Sequence, residues 1–316
     1  MRATVVPCET RATAEPIRLC RGSPTDTIRV MRFTKMHGLG NDFVHVDCFK
    51  QQVNRPDDTA RTVSDRHRGV GADGLILMRP SSVADVQMEM YNADGSRAQV
   101  CGNGLRCVAK YAIDHGLAKG PDVDIETDAG VKCASCSMTG GKVVSVCVDM
   151  GVPVLSASSL PSTIDLERIV DHRMRVGGTE YLVTCVSMGN PHAVVFVEDI
   201  EIVALEEAGW AFEHAPQFIE RINAHFVCVE SRVRVRIRTW ERGSGVTQAC
   251  GTGACAACVA GVLTGRTERS ITVTLPGGDL QVEWAIDDHV LLTGPAVEVF
   301  SGVWKGEGCR AGDSPA

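Results

Sequence analysis

Short apolar runs recur along most of the chain: Phe43 to Val46, Leu75 to Met78, Val86 to Tyr91, Val143 to Val148, Tyr181 to Val186, Val194 to Val197 and Ile271 to Leu275. Runs of this length, rich in β-branched and aromatic residues, predict strands. The alternation Val233-Arg234-Val235-Arg236-Ile237-Arg238 predicts one more, with one face in solvent. Helical periodicity is strong in only two places. After Cys101, the residues Leu105, Val108, Ala109, Ala112 and Ile113 share one face until Gly116 supplies a stop. After Cys250, the residues Ala254, Cys255, Ala257, Cys258, Val259 and Val262 surround the axis on nearly every side until Gly265, so this helix belongs inside its domain. The implied unit is a strand-rich domain wrapped around one apolar helix.

That unit occurs twice. Gln99-Val100-Cys101-Gly102-Asn103-Gly104 matches Gln248-Ala249-Cys250-Gly251-Thr252-Gly253 at an offset of 149 (250 − 101). The same offset carries Gly40-Asn41 onto Gly189-Asn190 and Asn92 onto Glu241. A chain of 316 residues fits two domains of about 100–150 residues each. The join is expected at Gly151-Val152-Pro153, with the Ser-rich stretch Ser156 to Ser162 beyond it. The expected division is an N-terminal extension over 1–30, a first domain over 31–150, a second over 151–296 and a tail over 304–316. Strand-like periodicity begins at Met31, which is the alternative start of the protein.

Bulk properties exclude some classes. Hydrophobic residues make up 44%, and the formal charge is −7. A negative balance disfavours nucleic acid as a partner, and no apolar run approaches the ~18 residues that would span a membrane. The 14 cysteines read as free thiols in a reducing compartment, because disulfide scaffolds are short and this chain has ample core. Residues 1–30 carry five arginines with Glu9, Glu15 and Asp26, and they lack the apolar core of a secretory signal. The expected location is the cytoplasm, or a plastid if that segment is a transit peptide.

A cysteine at the first turn of a helix meets unpaired backbone N–H groups and the positive dipole end, so its pKa is expected to fall. The glycines of Cys-Gly-Asn-Gly and Cys-Gly-Thr-Gly let amides approach closely and form a carboxylate site. A lone Cys-Gly pair would read as a buried structural cysteine; recurrence at a matched repeat position argues for function. Gly69-Val70-Gly71-Ala72-Asp73-Gly74 has the letters of a dinucleotide fingerprint but neither the preceding strand nor the following helix. The pairs Cys133/Cys136 and Cys255/Cys258 are Cys-x-x-Cys, yet the second lies within an apolar helix, so packing is favoured over zinc. His37, His67, His192 and His225 lack metal-ligand spacing and receive no catalytic role.

Several ordered motifs over Met31 to Val303 resemble those of the diaminopimelate epimerases. They are Lys35-Met36-His37-Gly38-Leu39-Gly40-Asn41-Asp42-Phe43, Asn92-Ala93-Asp94-Gly95-Ser96, Cys101-Gly102-Asn103-Gly104-Leu105-Arg106-Cys107, Ser187-Met188-Gly189-Asn190-Pro191-His192, and Trp240-Glu241-Arg242-Gly243 running to Ala249-Cys250-Gly251-Thr252-Gly253. The resemblance implies an α+β fold of two pseudo-symmetric domains. Each would be a mostly antiparallel β-barrel around a central α-helix, with a last strand near 297–303 returning to the first. It implies Cys101 and Cys250 as the two acid/base groups, and the amides of Gly102, Asn103, Gly251 and Thr252 as the carboxylate cradle. Asn92, Asn190, Asn223 and Arg242 would read the distal amino-acid end, with Glu241 and Asn41 near the reacting amino group. Some members carry Gln at the position of Gly74, so any contact there would come from backbone. No cofactor and no metal is implied, the partner is a small amino-acid substrate, and a homodimer is left open. The alternatives are a racemase of proline or hydroxyproline and a thiol-rich zinc or redox protein.

Overall fold

The computed structural model describes residues 30–99 and 101–305. Its first half runs β1 (Val30–Gly38), β2 (Asn41–Asp47), α1 (Pro56–Ser64), β3 (Gly74–Arg79), β4 (Val86–Asn92), β5 (Arg97–Ala98), α2 (Gly102–Asp114), β6 (Asp122–Thr127), β7 (Gly130–Thr139) and β8 (Lys142–Asp149). After β9 (His172–Val176) the same order returns: β10 (Thr179–Ser187), β11 (Pro191–Val197), α3 (Leu205–Glu213), β12 (Asn223–Ser231), β13 (Arg234–Glu241), β14 (Gly245–Thr247), α4 (Gly251–Leu263), β15 (Ser270–Leu275), β16 (Gly278–Trp284) and β17 (Val290–Gly294). The strand β18 (Val297–Lys305) closes the chain by pairing antiparallel with β1, Val30 opposite Lys305. The 149-residue offset superposes β1 on β10, α1 on α3 and α2 on α4 end for end.

Pairing is mostly antiparallel, with parallel steps at β2/β3, β4/β6, β11/β12 and β13/β15. The halves are joined by an antiparallel ladder between β8 and β17, Val148 opposite Leu292. Alternate residues of the central strands serve two cores. In β3, Ile76 and Met78 pack inward with Leu105, Val108 and Ala112 of α2, while Leu75 and Leu77 pack outward with Ala60 and Val63 of α1. In the second half, Val194 and Val227 meet α4, whereas Val195 and Phe226 meet Leu205 and Phe212 of α3. Burial on both faces explains why these strands are continuous apolar runs rather than alternating ones. This is an α+β fold of two repeated halves, each built around one apolar helix.

Two features differ from expectation. Helices α1 and α3 are additional: each has nine residues, and α1 buries only Ala60, Val63 and Ser64, too few to print a helical period. Pro56 at its first turn and the acidic pair Asp57 and Asp58 were the available start signals. Trp304 and Lys305, assigned to the tail, are strand residues paired with Met31 and Val30. The expectations for an N-terminal extension and for 306–316 lie outside the described residues. Among the described residues no helix is long and apolar enough to cross a membrane.

Candidate active site

Cys101 and Cys250 are the N-cap residues of α2 and α4, both in extended backbone conformation, so each sulfur stands beside the first helical turn. The two turns face one another. A Cβ added at Gly102 would lie 3.4 Å from Leu292 Cδ2, and one added at Gly251 would lie 3.1 Å from the same methyl. Both helix starts therefore rest on one β17 side chain. Between the halves lies a cleft of about 1360 Å³, lined by both cysteines with Asn41, Asn92, Asn103, Asn190, Glu241, Arg242, Gly102, Gly251 and Thr252.

The first half holds Cys101 in a chain of amides. The Cys101 thiol donates to Asn41 Oδ1 at 3.8 Å, and Asn103 Nδ2 donates to the same oxygen at 3.0 Å. Asn41 is oriented by its other end, whose Nδ2 donates to Asp73 Oδ2 at 2.7 Å. Asp73 in turn accepts from Arg66, which also bridges to Asp42, and Asp42 pairs with Lys35. Beneath Asn103 lies Arg106, fully buried, donating to Asn103 Oδ1 at 2.7 Å and to the carbonyls of Gly102 and Pro295. None of those acceptors is a carboxylate. Burial disfavours the Arg106 charge, and ionisation of the thiols around it, Cys107, Cys101 and Cys255, would favour it.

The second half surrounds Cys250 differently. Gly253 N–H donates to Cys250 Sγ at 3.3 Å, and Thr252 Oγ1 is 3.6 Å away. Glu241 stands beside the sulfur, with its Oε1 held by Thr247 Oγ1 at 2.6 Å. Burial pushes the Glu241 carboxyl above its ordinary value.

The expected fall in thiol pKa is corrected here. Burial raises Cys101 above its usual value of 9, against the opposing pull of the Gly104 and Asn103 amides and the Arg106 charge. Cys250 lies well above 9, raised by burial and then by Glu241. Surrounding protein outweighs the helix terminus at both sulfurs.

Two of the expected contact residues lie off the wall of the cleft. Gly74 does not line the cleft; it is a buried β3 residue whose Cβ would collide with the Tyr91 carbonyl oxygen, so the strand contact requires glycine. Asn223 is buried outside the cleft wall, with Nδ2 donating to Pro191 O at 2.8 Å and Oδ1 accepting from Arg242 N at 2.9 Å. It fixes the turn that carries Arg242. Arg242 lines the cleft with its guanidinium on Glu220 O at 2.8 Å, and Asn92 lines it with Nδ2 on Ser96 Oγ at 2.9 Å.

Arg106 and Asp73 received no separate role from the sequence. A cation beside the apolar stripe in the first turns of α2 was the signal for the first. Asp73 sat within a glycine-rich run set aside as a nucleotide motif; that run lies between α1 and β3, in helix-to-strand order. Cys133 is exposed and Cys136 buried on strand β7, so this Cys-x-x-Cys pair is split between surface and core. Cys255 and Cys258 are core residues of α4.

The family model described as Diaminopimelate epimerase matches residues 33–156 and 184–299. A diaminopimelate epimerase of Acetivibrio thermocellus is 51% identical over 273 residues, 86% of this chain and 98% of that protein. One of Pelotomaculum thermopropionicum is 50% identical over 86% of this chain and 98% of its own length. Among solved structures, a hydroxyproline epimerase from Agrobacterium vitis matches with a TM-score of 0.62 at 17% identity, covering 87% of this chain and 91% of that one. A phenazine biosynthesis protein of the PhzF family from Bacillus anthracis matches at 0.65 and 15% identity, covering 87% and 99%. These two share the fold. Sequence identity at this level over nearly the whole length of the relatives decides the rest: the chain belongs to the diaminopimelate epimerase family of isomerases.

Proposed function

We propose that the chain converts LL-2,6-diaminopimelate to the meso form by proton transfer between Cys101 and Cys250, with no metal or organic cofactor, in lysine and cell-wall precursor biosynthesis. The observation that supports it most is that the two helix starts capped by Cys101 and Cys250 meet at one Leu292 methyl, through Gly102 and Gly251, with both cysteines lining the same cleft. A tetrahedral carbon held between them has one sulfur on each side.

The α-hydrogen of an amino acid is a very weak acid, so the site must stabilise the carbanion as it forms. The first-turn amides of both helices, at Gly102, Asn103, Gly251 and Thr252, serve the reacting carboxylate. The Cys101 thiolate takes the α-proton from one face, and the electron pair left on carbon spreads into that carboxylate. The Cys250 thiol delivers its proton to the opposite face, leaving Cys250 as thiolate. The reverse reaction exchanges the roles. Glu241 and Asn41 flank the reacting amino group, and Asn92, Asn190 and Arg242 receive the distal end. This polar far wall favours a two-ended substrate over proline. Free thiols and a small polar substrate suit a cytoplasmic setting.

Incubation with LL-diaminopimelate and with proline in D2O, followed by chiral analysis, tests the proposal. Meso product with deuterium at the inverted carbon is expected without additives. Turnover of proline alone, or activity dependent on pyridoxal phosphate, would overturn it.

A further inference from the structure

Behind the distal wall runs a buried hydrogen-bonded chain from Thr239 to Asn190. Thr239 Oγ1 lies 3.0 Å from His225 Nδ1, His225 Nε2 lies 2.8 Å from His192 Nδ1, and His192 Nε2 lies 2.9 Å from Asn190 Oδ1. Both rings are fully buried, and Thr239 is 2% exposed. Burial drives His225 down to about 3 and His192 well below its ordinary value, so both imidazoles are neutral, each with one N–H and one acceptor nitrogen.

Neutral rings give such a chain only two directions, and Thr239 selects one. Its hydroxyl proton has His225 Nδ1 as its acceptor among the described residues. A reversed chain would leave that buried proton unpaired, which is unfavourable away from water. The direction is therefore Thr239 O–H to His225 Nδ1, His225 Nε2–H to His192 Nδ1, and His192 Nε2–H to Asn190 Oδ1. With Oδ1 occupied, Asn190 offers Nδ2 to the cleft that it lines.

We propose that Thr239, His225 and His192 are positioning residues that hold Asn190 as an obligate hydrogen-bond donor, selecting a carboxylate at the distal end of the substrate. This rests on the proposed two-ended amino-acid substrate. A carboxylate accepts at both oxygens, whereas a carboxamide presents a donor that a fixed Nδ2 cannot satisfy. His225 also fills the space beside Gly253, where a Cβ would collide with its ring, and Gly253 N–H donates to Cys250 Sγ. Replacing His225 would disturb the catalytic turn, so Thr239 is the residue to change.

The test compares LL-diaminopimelate with its distal monoamide in wild type, Thr239→Val and Thr239→Ser. Valine keeps the shape and removes the hydroxyl that sets direction. The expected result is a roughly 10-fold fall in the carboxylate-to-amide preference of kcat/KM in Thr239→Val, a raised KM for diaminopimelate with kcat near wild type, and recovery in Thr239→Ser. Nitrogen-15 NMR of the wild-type protein should show both histidines as neutral Nε2–H tautomers, a readout independent of turnover. An unchanged preference in folded Thr239→Val, or an Nδ1–H tautomer on either ring, overturns the positioning role. A wild-type protein inactive on LL-diaminopimelate defeats the proposed function instead, and the tautomers still report Asn190's orientation.

Discussion

The two cysteine sites share a backbone and differ in charge. Each sulfur caps a 13-residue helix that begins with glycine and lies at matched positions of the repeat. Around Cys101 the matched positions hold Asn92, Asn103 and Arg106; around Cys250 they hold Glu241, Thr252 and Cys255. A buried cation thus faces one thiol and a buried carboxyl the other. The Arg106 charge lowers the Cys101 pKa against burial, whereas Glu241 adds to burial in raising that of Cys250. Duplication supplied two equivalent helix starts, and divergence at two side chains made their protonation unequal. In the proposed reaction Cys101 is the thiol that ionises more readily and serves as the base, and Cys250 is the acid.

The largest effect should come from the thiols. Cys101→Ala and Cys250→Ala should each lower epimerisation by ~10³-fold or more, and the double variant little further, because inversion needs both groups. Cys107→Ala and Cys258→Ala remove core thiols away from the cleft and should act only through stability. A single catalytic-position variant that keeps near-normal inversion would sink the paired-thiol reading.

Arg106→Met should lower activity at neutral pH by roughly 10–100-fold, with partial recovery as pH rises and in Arg106→Lys, because removal of the cation lifts the Cys101 pKa further. In the parent protein kcat/KM should climb above neutral pH, since burial holds both thiols above their ordinary value and the reaction requires a thiolate. Mapping iodoacetamide labelling against pH measures the asymmetry directly. Cys101 should label first, and faster labelling of Cys250 would reverse the assignment.

A smaller change is expected from Glu241→Gln, read by the same labelling. Loss of the carboxyl should speed alkylation of Cys250 several-fold through a lower pKa and that of Cys101 less, because Glu241 also raises Cys101 but as its smallest influence. Equal acceleration at both sulfurs would show a loosened cleft instead.

The smallest effect lies at the seam between the halves, where His289 Nδ1 sits 2.8 Å from Asp149 Oδ2. The carboxylate raises the His289 pKa above 6.5 in the folded protein. The pair therefore contributes stability below pH 6.5 and loses it as pH rises through the folded value. His289→Asn should narrow the gap in melting temperature between pH 6 and pH 9 slightly. An unchanged gap would show that the exposed pair contributes nothing to the join.

Periodicity and self-similarity determined much of this protein in advance: the repeat, the two central helices, the caps at Cys101 and Cys250, and most strand runs. These are local properties, set by spacing along the chain, and a duplicated sequence repeats them at a constant offset. Helices α1 and α3 escaped because a short helix packed on one side of a sheet needs only two or three apolar contacts. The fates of Gly74, Asn223 and Arg106 were decided by residues distant in sequence: a Tyr91 carbonyl, the Pro191 and Arg242 backbone, and the Pro295 carbonyl. The thiol pKa values followed the same rule. A helix terminus is legible in the sequence, but desolvation depends on how much protein the whole fold places around a sulfur, and only the tertiary structure decides that.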